Sequence, residues 1–140
     1  MVLRKFVACV FGSVALVALA ACAAPATAAP EPLVIQVMKG QTALIPDGTV
    51  LAPIRARCHP PLDAFEVDVS VQQPTAFGSA FLLGTEFPPC DGRWHRTIVT
   101  VAAETGVFVA GTATVTAFIA AFHPSVGDVD AADAETLALK

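Results

Sequence analysis

Thiols, imidazoles, guanidinium groups and clustered carboxylates are the residues of this chain that could do chemistry, and their spacing decides what kind. Cys58 and Cys90 stand with His59 and His95 close by, a superficially plausible set of metal ligands. The set lacks the C-x-x-C or H-x-x-x-H pairs that make a tetrahedral site specific. Two cysteines in a small exported domain more readily pair with each other in an oxidising compartment. A Cys58–Cys90 disulfide is therefore expected, and neither metal nor cofactor. Closing the 32-residue span contributes roughly 3 to 4 kcal/mol in the chain-entropy picture.

Arginines crowd the same two cysteines. Beyond residue 28 the chain has six Lys and Arg, and four of them, Arg55, Arg57, Arg93 and Arg96, flank Cys58 and Cys90. A bridge brings the two groups within about one strand width, roughly 5 Å. In a strand leading to Cys58, Ile54 and Ala56 share the face of the cysteine, so Arg55 and Arg57 point the other way, outward. The guanidinium fork suits carboxylates and phosphates. This predicts docking of an anionic envelope component or protein, with wall polyanions, lipid headgroups and acidic protein faces all chemically suitable. The alternative is ordinary surface pairing of these arginines with Asp91, Glu66 or Asp68, each pair worth little.

Other chemistry finds no support. Ser70, Ser79 and Ser125 lie in no nucleophile elbow. Phosphate loops and dinucleotide fingerprints are absent. Asp128, Asp130, Asp133 and Glu135 lack the glycine of a calcium loop and are broken by Val and Ala. Trp94 is the only tryptophan and there is no tyrosine, which leaves few platforms for stacking sugars. Trp94 is expected to pack near the bridge, and His123 beside Pro124 to sit in a loop without a partner. The chain is expected not to be an enzyme.

The elements that must position these residues follow from length and patterning. The 140 residues bound the chain to one domain. Two positive charges, Arg4 and Lys5, precede an uncharged stretch from Phe6 to Ala21, followed by small residues and prolines. This reads as a signal peptide over residues 1–28, leaving a domain over 29–140 outside the cytoplasm. Two cleavages fit. Leu19-Ala20-Ala21-Cys22 matches a lipobox, which would lipidate Cys22 and tether the domain to a membrane through Ala23–Pro32. Ala26-Thr27-Ala28 before Ala29-Pro30 matches the ordinary signal peptidase, which would release it. The remaining 112 residues carry twelve Asp and Glu against six Lys and Arg, a formal charge of −6. That balance argues against nucleic acid, which requires a basic face.

From Leu33 onward the apolar pattern has period two. Phe65, Val67, Val69 and Val71 alternate with Glu66, Asp68, Ser70 and Gln72, predicting a strand with one apolar and one polar face. Val107–Ala121 predicts a second, with Val109, Gly111, Ala113, Val115, Ala117 and Ile119 on one side. Further strands are expected at Leu33–Met38, Gln41–Ile45, Thr49–Arg57, Phe77–Leu83 and Arg96–Ala103, with Pro53 pushing its part to an edge or bulge. Lys39-Gly40, Pro46-Asp47-Gly48, Asp91-Gly92 and Thr105-Gly106 mark turns. The C-terminal stretch reads as a mobile acidic tail ending in a weak strand over Glu135–Leu139. Together these predict an all-β, immunoglobulin-like antiparallel sandwich of about seven strands with one disulfide.

The order and spacing of several short motifs carry a resemblance. Asp47-Gly48-Thr49 leads to Cys58, Gln72 ends the alternating strand, Cys90-Asp91-Gly92 precedes His95, and Gly106-Val107-Phe108 and Gly111-Thr112-Ala113 follow. In these the chain resembles a family of uncharacterised small secreted proteins of actinobacteria, over nearly all of its length after the signal. The family's aromatic follows its histidine, whereas Trp94 here precedes His95. The resemblance implies export, an immunoglobulin-like fold and a two-cysteine bridge, and it brings no catalytic residue. The functional expectation is an exported, non-enzymatic envelope or extracellular protein acting by binding or structure. The alternatives are a surface lipoprotein anchored at Cys22 that binds a small ligand, or a small hydrolase.

Overall fold

Strand follows strand through a computed structural model that describes residues 31–83, 86 and 89–140. The expected signal peptide and Cys22 lie outside the described residues. The strands are β1 (Leu33–Val37), β2 (Ala43–Leu44), β3 (Val50–Cys58), β4 (Asp63–Gln73), β5 (Ala76–Leu83), β6 (Trp94–Val101), β7 (Gly111–His123) and β8 (Gly127–Leu139). Every pairing is antiparallel. In one sheet β3 is central, with β1 and then β2 along one edge and β6 along the other; the second sheet has the order β5-β4-β7-β8. The chain changes sheet after β3, β5 and β6. That is Greek-key connectivity, and the immunoglobulin-like sandwich read from the sequence is the fold that forms.

Alternation places the core. Val50, Ala52, Ile54, Ala56 and Cys58 of β3 face Val67, Val69 and Val71 of β4 and Ala113, Val115, Ala117, Ile119 and Ala121 of β7, all of them buried. Full burial of a side chain the size of Val or Ile is worth about 1.5 to 3 kcal/mol. Phe108, buried in the connection between β6 and β7, closes one end of this core. That connection is fixed by the buried Gln73. Its Nε2 donates to the Val109 carbonyl at 2.8 Å, and its Oε1 accepts the Val109 N–H at 3.0 Å.

Several expectations are corrected by register. Phe65 is 42% exposed rather than part of the apolar face, because a bulge between Ala64 and Glu66 leaves it as the extra residue and reverses the parity before Val67. The strand expected from Val107 begins at Gly111. Val107 and Val109 are exposed, and Phe108 between them turns inward. Pro53 lies within a central strand. Its carbonyl accepts the Met38 N–H at 2.9 Å, and the N–H it lacks would point the same way, into the Lys39–Gln41 turn where β1 has ended and β2 has not begun. No ladder bond is lost there.

The acidic tail is a strand. All of Gly127–Leu139 pairs with β7, and its inward positions are Val129, Ala131, Asp133, Glu135, Leu137 and Leu139. Two acids thus face the space between the sheets. Asp133 Oδ2 accepts the Val37 N–H at 2.8 Å, a donor on the edge of β1 that faces away from β3, and Glu135 pairs with Lys39 at 3.3 Å. Inward charge of this kind protects a sheet edge from further pairing.

Candidate functional site

Cys58 ends β3 and bonds to Cys90, with their Cα atoms 4.4 Å apart, as the sequence predicts. Unlike the inter-sheet bridge of antibody domains, it ties the β5–β6 connection to β3. The turn that follows is built from local bonds. Gly92 N–H donates to the Cys58 carbonyl at 2.8 Å, and Asp91 accepts the Arg93 N–H at 2.9 Å while lying 2.9 Å from His95 Nε2. The His95 hydrogen bond, and after it the Arg93 N–H, hold the Asp91 carboxyl below the usual carboxylate range. Gly92 has φ +77°, a conformation that favours glycine, and a Cβ there would also press against His59 Nδ1 at 3.0 Å. This turn launches β6 at Trp94.

In the β3–β6 register Arg57 lies opposite Trp94 and Arg55 opposite Arg96. All four point to the outer face of the sheet. The Arg55 and Arg57 guanidinium carbons lie 4.8 Å and 5.0 Å from the Trp94 ring centroid. At an exposed site each such contact is worth about 0.5 to 1 kcal/mol. Arg55 Nε donates to Gln36 Oε1 at 2.7 Å, and Arg96 Nη2 donates to Gln41 Oε1 at 2.6 Å. Neutral amides thus orient the guanidinium groups without cancelling their charge. Beside them a shallow concavity of about 270 Å³ is lined by Gln36, Met38, Lys39, Gln41 and Arg55. Trp94 and Ile98 are 40% and 52% exposed on the same face.

The four arginines of the sequence reading are not equivalent. Arg55, Arg57 and Arg96 share the sheet face, whereas Arg93 sits in the turn before β6. Ion pairing with Asp91, Glu66 or Asp68 is not what the arginines do. Among the described residues the salt bridges are Lys39 with Glu135 and His95 with Asp91. Glu66 and Asp68 belong to the outer face of the other sheet. Both cysteine sulfurs are taken by the bridge, which removes them as thiolate ligands, and among the described residues no three His, Cys, Asp or Glu converge. Ser79 Oγ donates to Glu104 at 2.6 Å and the Ser125 backbone N–H donates to His123 Nδ1 at 3.0 Å; among the described residues no serine hydroxyl is hydrogen-bonded to a histidine.

Sequence reasoning missed the part played by Trp94, Gln36 and Gln41. A strand begun at Arg96 leaves Trp94 outside it; begun at Trp94, parity alone puts the ring on the arginine face. The glutamines carry no such signal, because their partners lie on other strands. No protein family, curated protein or solved structure matches the chain.

Proposed function

We propose that the protein is an exported, non-enzymatic binding or structural component of the cell envelope or its surroundings. Its contact surface is the outer face of the β1–β3–β6 sheet, and its target is anionic. The observation that carries this reading is a sheet face with Arg55 and Arg57 over Trp94 and Arg96 beside them, Arg55 and Arg96 oriented by glutamine amides, and none of the three ion-paired to a carboxylate among the described residues. In a molecule of net negative charge this face has a local field of opposite sign, which steers acidic groups toward it. The disulfide suits an oxidising location outside the cytoplasm. Membrane attachment enters only through Cys22, where that residue is lipidated.

The test is co-sedimentation of the processed protein with envelopes isolated from its own host. Binding should weaken steeply with salt. Replacing both Arg55 and Arg96 by Ala should abolish it in a protein that stays folded, with stability lowered by about 0.5 to 1 kcal/mol through the lost Arg55–Trp94 contact. Undiminished association of the double variant at low salt would overturn the reading.

A further inference from the structure

The outer face of the β5-β4-β7-β8 sheet is the counterpart of the arginine face. Register sets its outward residues in rows: Asp63, Phe122 and Asp128 in one, Glu66, Ala120 and Asp130 in the next, then Phe81, Asp68, Phe118 and Ala132. Five carboxylates are therefore interleaved with three phenylalanines, and none of the outward positions of these four strands is Lys or Arg. Phe81 and Phe122 are 57% and 48% exposed. Like charges crowd without relief: partial burial, then Glu66 and Glu104 nearby, hold the Asp68 carboxyl above its ordinary range, and Asp68 Oδ1 is buried with no hydrogen-bond partner.

The two patches also share one end of the sandwich. Arg57, opposite Trp94, immediately precedes Cys58, and a link of four residues leads from Cys58 to Asp63. The basic patch and the acidic patch therefore stand back to back across the same bridge-bearing end.

We propose that copies of this protein stack head to tail, the arginine–tryptophan face of one seated on the carboxylate–phenylalanine face of the next. The proposal rests on the reading of the arginine face as the contact surface and names a second copy of this chain as its partner. Because the patches are back to back, displacement along the sheet normal lays cation on carboxylate, with Trp94 and Ile98 meeting Phe81 and Phe122 at the centre. Each added copy exposes the same two faces again. Such a heterologous contact propagates into a ring or an open filament rather than stopping at a symmetric dimer. Complementary charge sets the register and speeds encounter, and the exposed apolar residues supply the area that is desolvated.

Sedimentation velocity of the processed protein tests this. Association should weaken at least about tenfold when salt is raised from about 0.01 M to about 1 M. Two charge-reversed variants decide the geometry: Arg55→Glu with Arg96→Glu removes the basic face, and Asp68→Lys with Asp130→Lys removes the acidic one. Each alone should sediment as a monomer. An equimolar mixture should associate again, since each variant retains the face the other has lost and the two reversed faces are themselves opposite in charge. The milder pair Arg55→Gln and Asp68→Asn should each weaken wild-type assembly, which keeps the test decisive if a reversal unfolds the domain. A monomeric wild type at low salt, or a mixture of folded reversal variants that stays monomeric, would overturn stacking. Envelope binding by the same variants separates the two proposals: arginine-dependent binding without pairing leaves the contact face standing and removes the second copy as its partner. Pairing without arginine-dependent envelope binding does the reverse.

Discussion

The β1–β3–β6 sheet shows solvent Arg55, Arg57 and Arg96 around Trp94, while the β5-β4-β7-β8 sheet shows it Asp63, Glu66, Asp68, Asp128 and Asp130 around Phe118 and Phe122. Their inner faces are nearly interchangeable, both built from Val, Ala and Ile. Apart from the inward Asp133 and Glu135 of β8, packing explains the inner faces, and it says nothing about the sign of charge outside. An outer face that only has to be wet carries both signs interspersed. Here each face carries one sign and large exposed apolar side chains as well, the composition of a contact surface.

Breaking the bridge has the largest expected effect, because it fixes the end where both patches sit. Cys58→Ala should cost about 2 to 5 kcal/mol and lower the melting temperature substantially. Thermal denaturation measures this, and non-reducing peptide mapping of the native protein should find Cys58 linked to Cys90. Two alkylatable thiols would contradict both. Gln73→Ala comes next, at about 1 to 3 kcal/mol, since the Val109 N–H and carbonyl lose their partner while Phe108 remains buried. It touches neither outer face, so stability should fall with envelope binding by the folded protein unchanged.

The next changes act on one face each. Trp94→Ala should cost about 1 to 2 kcal/mol through its two guanidinium contacts and reduce envelope binding, with urea denaturation and co-sedimentation as the paired readouts. Asp68→Asn has the smallest effect on stability, within about 0.5 kcal/mol. Because the folded-state carboxyl titrates above its unfolded value, ionised Asp68 destabilises the fold at neutral pH. That destabilisation disappears as pH falls below the unfolded carboxyl's range. The variant should therefore melt slightly higher than wild type at pH 7 and show no gain in acid; a gain that grows on acidification would contradict the crowding on the acidic face.

The basic face was largely legible in the sequence and the acidic face was not, for a physical reason. Arg55 and Arg57 flank Ala56 in a strand whose inward set is strongly apolar, so their outward direction needs only the period of two. In β8 the alternation sets Ala and Val against Asp, a weak contrast, and Asp133 and Glu135 fall on the inward side because groups from β1 and the following turn receive them. Asp128 and Asp130 then read as tail rather than face. In β4 a single bulge reverses parity, so Phe65 follows the alternation in sequence and departs from it in space. The bridge needed only two cysteines and an oxidising destination, whereas the amide partners Gln36 and Gln41 come from the β1–β2 region and depend on pairing no local pattern encodes.

The contact role of the arginine face is tested most directly by an envelope-binding isotherm at about 0.01 M salt, where screening is weakest. Wild type is compared with the Arg55→Ala, Arg96→Ala double variant, which should stay folded with stability lowered by about 0.5 to 1 kcal/mol as the Arg55–Trp94 contact is lost. Saturable binding by wild type, lost on raising salt and lost in the double variant, is the predicted result. Superimposable isotherms for the two proteins would contradict it.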